Sequence, residues 1–303
     1  MTQSWQVPLV GAWAGILRSQ PIAEAQEVAR ELEDLGYGVL WFPESDARET
    51  FVNLALMLSA TREAVGGTAI ANIWARDALA MACAGKTLTE AFPDRLLLGL
   101  GVSHQPLVEG MRGHTYRSPL ARMRDYLAAM DCASYTAVEP ATPVRRLLSA
   151  LGPKMLELAA EHTDGTIPYL APPDHTAISR AALPDDALVC PVQAVVFETD
   201  RARAHEIARG AHLSFYMHLP NYTNNLERLG FTKDDFAGGG SDKLVDALVA
   251  WGSTEQIMER MRAHIAAGAD HVCVQIISDR PEPPLDAWRE LAPALRELTP
   301  RAR

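Results

Sequence analysis

Leu147-Leu148-Ser149-Ala150-Leu151-Gly152-Pro153-Lys154-Met155-Leu156-Glu157-Leu158-Ala159-Ala160-Glu161 reads as one complete structural unit. Leu147–Ala150 is short and apolar, as a buried strand is, and Lys154–Glu161 reads as a helix. Gly152-Pro153 marks the turn between them. Proline in the first helical turn costs nothing, because the N–H it lacks would be unpaired there anyway. A strand that runs through a short turn into a helix is the repeating unit of parallel α/β folds.

The same unit recurs on both sides. Towards the N-terminus, Val7–Gly11 precedes a helix at Ile22–Leu35, opened by Pro21 and stopped by Gly36. Val39–Phe42 precedes Phe51–Thr61, and Thr68–Ala71 precedes Asp77–Phe92, with Asp77 as N-cap. Leu96–Leu100, ended by Gly101, precedes Leu120–Ala133. Towards the C-terminus, Gly165–Pro168 pairs with His175–Ala181, and Val189–Phe197 with Arg201–Phe215. The stretch Asn221–Trp251, with Gly238-Gly239-Gly240 at its centre, breaks the rhythm after this seventh strand. It predicts a helical insertion or a lid over the barrel mouth. Thr254–Ala267, capped by Gly268, then leads to the eighth strand, Val272–Ile276, and a last helix, Leu285–Leu298. Eight such repeats without hairpin signals predict a parallel sheet buried on both faces. No GxGxxG follows the first strand, which favours a closed (β/α)₈ TIM barrel over a doubly wound sheet. No linker or low-complexity segment appears, so residues 1–303 are expected to form a single domain.

Composition narrows the function. The chain has 303 residues, 48% hydrophobic and 22% charged, which suits a soluble globular protein with a large core. A net charge of −10 repels phosphate backbones and anionic lipid, so neither a nucleic acid nor a membrane is an expected partner. Cys83, Cys132, Cys190 and Cys273 are widely spaced, which suits a reducing cytoplasm and points to no disulfide framework or zinc site. The first residues lack the pattern of a signal peptide. No HExxH or clustered ligand pattern predicts a metal.

In these barrels chemistry sits on the loops after the strands. That rule selects Trp13, Glu44, Asn72 to Arg76, Gly101 to His104, Leu151 to Lys154, and Tyr169. The 151–154 turn has the clearest physics. A helix N-terminus offers free N–H groups and partial positive charge, Gly152 allows close approach, and Lys154 adds a full charge. An ordinary βα turn with a surface lysine would read the same way. Glu44 and His104 could act as acid, base or substrate anchor, or serve as a salt bridge and a structural histidine. Trp13 and Trp74 could stack on a planar ring or pack at the rim. His212 and the other helix histidines read as structural or exposed.

Several segments together resemble the bacterial luciferase-like superfamily of flavin and deazaflavin barrels. They are Leu97-Leu98-Gly99-Leu100-Gly101-Val102-Ser103, Gly152-Pro153-Lys154-Met155-Leu156-Glu157-Leu158-Ala159, Glu161-His162-Thr163-Asp164-Gly165, and Trp251-Gly252-Ser253-Thr254 leading to Ala267-Gly268-Ala269-Asp270-His271-Val272. Thr68-Ala69-Ile70-Ala71-Asn72-Ile73-Trp74 looks most like the branch that uses coenzyme F420. The resemblance implies a bulged third strand, often with a non-prolyl cis peptide, backing the ring near Ala71-Asn72. It also implies that Gly152, Pro153, Lys154 and Met155 hold the cofactor phosphate, with Ala71, Asn72, Gly101 and Ser103 around the ring. Pro43-Glu44-Ser45 departs from the strand-end histidine of some sugar-phosphate dehydrogenases in this branch, which speaks against their substrate.

The expected activity is hydride transfer between F420 and a small organic substrate. Glu44 or His104 would move the accompanying proton, and Trp13, Trp74 and Tyr169 would contact the substrate. An FMN-dependent monooxygenase and a non-catalytic flavin-binding protein are the alternatives. The resemblance further implies a homodimer.

Overall fold

The computed structural model describes residues 5–301. Its strands are β1 (Val10–Trp13), β2 (Val39–Phe42), β3 (Val65–Thr68), β4 (Ala71–Asn72), β5 (Leu96–Gly101), β6 (Arg145–Leu148), β7 (Gly165–Thr166), β8 (Leu188–Val189), β9 (Val192–Val196), β10 (Val249–Trp251) and β11 (Val272–Ile276). All pairs among them are parallel. The path runs from β11 through β1, β2, β3, β5 and β6 to β7. From there the segment 188–196, interrupted only by Cys190-Pro191, closes the circuit. It bonds to Asp164, Thr166 and Pro168 on one side and to β11 on the other. The sheet is therefore curled, with β10 added alongside β9.

Helices follow the strands and pack outside them. They are α1 (Ile22–Leu35), α2 (Thr50–Ala60), α3 (Ala78–Ala91), α4 (Gln105–Arg112), α5 (Pro119–Asp131), α6 (Pro153–His162) and α7 (Pro173–Ala182). After β9 come α8 (Arg201–Ala208), a π-helical turn at Arg209–Leu213, α9 (Ser214–Tyr216), α10 (Pro220–Arg228), a 3₁₀ segment at Lys233–Gly239 and α11 (Asp242–Leu248). The chain ends on α12 (Thr254–Ala266) and α13 (Leu285–Leu295). Among the described residues no helix is long and apolar enough to cross a membrane.

Strand alternation divides the core. Val39 and Trp41 join Val65, Leu97, Leu147 and Ile167 inside the curl, while Leu40 and Phe42 face the helices. Two glycines make room inside. A Cβ on Gly67 would lie 2.2 Å from the Trp41 ring, and one on Gly99 would lie 2.1 Å from the Thr68 carbonyl oxygen.

Several expected positions need correction. The first strand is Val10–Trp13 and not Val7–Gly11, because Pro8 has no N–H to give the ladder and stays outside it. The third strand is Val65–Thr68, three residues earlier than expected. Gly66-Gly67 has low strand propensity, yet the Trp41 ring leaves no room for a Cβ at position 67. The cis peptide joins Ala69 to Ile70, two residues before its implied position, and β4 follows it. The stretch expected as an insertion is helical only as far as Leu248; Val249–Trp251 pairs with Ala194–Val196 as a strand.

Candidate active site

The C-terminal ends of the strands open on a cleft made of two cavities, of about 650 and about 430 Å³. Ile70, Ser103, His104, Ser149 and Tyr222 line both, so the two are continuous.

The smaller cavity is built on the start of α6. Gly152 is its N-cap in extended conformation, and Pro153 is its first residue. The N–H groups of Met155 and Leu156 turn back to the Gly152 carbonyl, whereas those of Gly152 and Lys154 donate to no described protein atom. Gly152, Pro153, Lys154 and Met155 all line this cavity, and α10 brings Asn224 and Arg228 to its far side. Arg228 sits close to Gly152 and holds Asn225 Oδ1 at 3.3 Å through Nη2. Among the described residues neither Lys154 nor Arg228 has a carboxylate partner. Two cations without a carboxylate partner, beside free N–H groups at a helix N-terminus, are the kind of donors that suit a phosphate or carboxylate.

The join between the cavities carries the polar chemistry. Gly101 ends β5, Ser103 takes a left-handed conformation (φ 56°), and His104 starts α4. His104 Nδ1 lies 3.1 Å from Asn221 Oδ1, and its ring lies 5.3 Å from that of Tyr222. Burial holds this imidazole below its ordinary pKa, with the Asn221 contact acting weakly the other way. It is therefore neutral near pH 7 and able to accept a proton. On the floor, Ala69 and Ile70 on either side of the cis peptide reach the larger cavity.

The larger cavity is aromatic. Trp13 stacks on Tyr169 at 5.2 Å, and Tyr169 meets Tyr216 and Tyr222 edge-on at 5.3 and 6.2 Å. The Tyr169 and Tyr216 hydroxyls are 3.3 Å apart. Burial raises the pKa of Tyr169, Tyr216 and Tyr222, so all three stay protonated.

The expected residues divide accordingly. Glu44, His104, Gly101, Ser103, Gly152, Pro153, Lys154, Met155, Trp13 and Tyr169 line the cleft. Ala71 and Asn72 do not line it. They are buried in β4 against Leu100 and Gly101, and the shifted cis peptide gives the floor to Ala69 and Ile70. Trp74 also lines neither cavity. Its Nε1–H donates to the Val102 carbonyl at 3.0 Å, and its ring meets Tyr116 and the Arg122 guanidinium. Glu44 reaches the larger cavity, yet both its oxygens are engaged. Oε2 accepts the Asn72 N–H at 2.7 Å and Arg76 Nη1 at 3.0 Å, and Oε1 pairs with Arg76 Nη2. With its side chain only 5% exposed, Glu44 is a brace for β4.

Ile70, Ser149, His212, Tyr216, Tyr222, Gln275, Asn221 and Arg228 are cleft residues that the sequence reading did not assign to the site, His212 having read as structural or exposed. Five of them lie in the helical stretch between β9 and β10, where no strand-end rule applies. The only available signal was the density of aromatic and polar residues in Tyr216–Asn225.

The sequence pattern of the luciferase-like monooxygenases matches residues 7–271. The chain belongs to the luciferase-like monooxygenase family. Among its relatives is a Mycobacterium tuberculosis protein provisionally named a coenzyme F420-dependent oxidoreductase. It is 27% identical, over 88% of this chain and 94% of the relative. Among solved structures, an F420-dependent secondary alcohol dehydrogenase in complex with an F420-acetone adduct superposes with a TM-score of 0.75. It shares 16% identity and covers 97% of this chain and 100% of its own. The FMN complex of the oxygenating constituent of 3,6-diketocamphane monooxygenase from Pseudomonas putida gives 0.69. That pair shares 12% identity over 99% of this chain and 100% of the other. At these identities the two structures establish the fold, a curled parallel sheet of the luciferase-like TIM-barrel kind.

Proposed function

We propose that this family member is an F420-dependent oxidoreductase that passes hydride between the deazaflavin and a small organic substrate. The observation that carries the reading is the anion site at the start of α6, which opens directly on the floor at Ile70 and on His104. Its donors fit a cofactor with a phosphate and a planar ring. Gly152, Pro153, Lys154, Met155 and Arg228 would hold the phosphate, and Ile70, Gly101 and Ser103 would border the ring. When bound, the deazaflavin supplies a centre that gives or takes hydride. With Nδ1–H donating to Asn221 Oδ1, His104 keeps its lone pair on Nε2. That atom takes the proton a substrate hydroxyl loses, or returns it in the reverse direction. Glu44 holds β4 in place through Asn72 and Arg76. Trp13, Tyr169, Tyr216 and Tyr222 exclude water from the substrate side.

The helices between β9 and β10 serve as an insertion that roofs the cleft, since Asn221, Tyr222 and Arg228 line it. We take residues 1–303 as one domain, acting as a homodimer in the cytoplasm with neither nucleic acid nor membrane as partner. The relatives named for F420 support the choice of cofactor. The FMN-bound neighbour favours a second reading, an FMN-dependent monooxygenase, because FMN would present a phosphate to the same turn. A non-catalytic flavin-binding role is the third.

The test is a fluorescence titration of the purified chain with F420 and, separately, with FMN. Tight F420 binding with weak FMN binding supports the oxidoreductase. The reverse preference overturns it in favour of the monooxygenase, and binding of neither removes both.

A further inference from the structure

Five described histidines are at least nine-tenths buried, and four of them are satisfied in the same way. His175 bonds Leu151 O and Ser179 Oγ; His205 bonds Asp242 and Asp246. His264 bonds Thr176 Oγ1 and Gln193 Oε1; His271 bonds Trp41 Nε1 and Pro8 O. Each uses both ring nitrogens, as a structural histidine should. His212 differs. It is 7% exposed, its Nε2 is buried with no hydrogen-bond partner among the described residues, and among these five it is the one that lines the larger cavity. A buried polar atom left unpaired costs free energy, so its retention in a cavity wall points to a partner that arrives with the ligand.

The backbone gives a second, independent observation. His212 sits in the π-helical turn Arg209–Leu213, where the Ser214 N–H reaches back to the Arg209 carbonyl. Such turns are rare and recur at functional sites, because the wider turn offsets the side chains from a regular helical register. This one is anchored, since Arg209 Nε donates to the Gly240 carbonyl at 2.8 Å and its guanidinium pairs with Asp242. The imidazole ring is packed edge-on against Tyr169 and Tyr216, at 5.9 and 5.3 Å. Gln275 Oε1, also buried and without a partner among the described residues, belongs to a residue lining the same cavity. Burial holds His212 neutral, with its pKa lowered to about 4. It therefore offers one N–H and one lone pair, and no charge, to a ligand.

We propose that His212 is the polar anchor of the substrate subsite. It hydrogen-bonds the oxygen of a neutral carbonyl or hydroxyl compound whose apolar, ring-sized body packs among Tyr169, Tyr216 and Trp13. The proposal rests on the oxidoreductase reading for the substrate's role in the reaction, but not for its binding. The phosphate site on α6 plays no part in it.

The probes are acetophenone and ethylbenzene, which share a ring and a two-carbon arm and differ in one oxygen. Each is titrated against the full chain, with and without F420, while the histidine ring signals are followed by NMR. Acetophenone should shift the His212 resonances and bind about tenfold more tightly than ethylbenzene. His212→Phe should abolish that preference while ethylbenzene binding persists, and His212→Asn should retain part of it. Unmoved His212 signals, equal affinities in the wild type, or binding of neither probe would overturn the proposal. The wild-type arm decides even if a variant fails to fold. Failure to bind F420 defeats the oxidoreductase reading alone, because the arm without cofactor still reports on His212.

Discussion

At the scale of single residues, the proposed function separates a group that would move protons from one that holds structure. His104 is neutral, hydrogen-bonded through Nδ1 and, among the described residues, free of any ion pair, so His104→Ala should lower turnover about 100-fold. F420 affinity should change little, and steady-state rates beside a fluorescence titration check both. Glu44 behaves differently. Glu44→Gln leaves Arg76, whose side chain is 13% exposed, without its main buried counter-charge. The expected cost is about 3 kcal/mol of stability, read as a lower denaturation midpoint, with any loss of activity following from a loosened floor. Lys154→Ala and Arg228→Ala should each raise the Kd for F420 about tenfold and weaken its dependence on salt, as measured by titration at two ionic strengths. Lys154 was legible in the sequence because a Gly-Pro-Lys turn after an apolar strand carries its own physics. Arg228, Tyr216 and Tyr222 were not, because only tertiary packing brings the α9–α10 region over the mouth. His212 read as structural because nothing in a sequence shows which buried histidine lacks partners.

At the scale of elements, strand register decides which side chains reach the cleft. The third strand was expected at Thr68–Ala71, which would have put Ala71 and Asn72 at its end. The observed β3 ends at Thr68, and the cis peptide and β4 follow, so Ala69 and Ile70 form the floor. A glycine pair discourages a strand assignment on propensity alone, and the need to clear Trp41 is a packing fact from another strand. The adjoining strand shows the same dependence. Thr68 Oγ1 donates to the Gly99 carbonyl at 2.7 Å, and a Cβ on Gly99 would meet the Thr68 carbonyl. Gly99→Ala should push β5 off β3 and cost about 2 kcal/mol or more. Thermal unfolding measures that loss, and F420 affinity should fall with it because Gly101 ends the same strand. The start of α6 was legible to within a residue, since its N-cap, proline and apolar spacing all agree.

For the whole molecule, the barrel-type fold was legible because eight strand–helix units repeat with no hairpin between them. The closing segment was only partly legible. Pro191 splits it into β8 and β9, and both edges must be seen before it counts as one wall. The buried histidines give the molecule a pH signature. His212 and His271 are lowered to about 4 and His264 to about 3, all mainly by burial. Unfolded imidazoles take up protons near pH 6.5, which the folded ones refuse, so the unfolded state gains as pH falls. Stability should be fully present above about pH 6.5 and should drop steadily towards pH 4, which Tm measured at unit intervals of pH would show. The proposed reaction is hydride transfer through this cleft. Its most direct test is anaerobic mixing of the F420-loaded chain with a panel of neutral alcohols, following loss of the deazaflavin's visible absorbance. Bleaching by at least one alcohol is expected, slowed about 100-fold in His104→Ala. No bleaching by any alcohol, together with oxygen consumption by the chain loaded with reduced FMN, would contradict it.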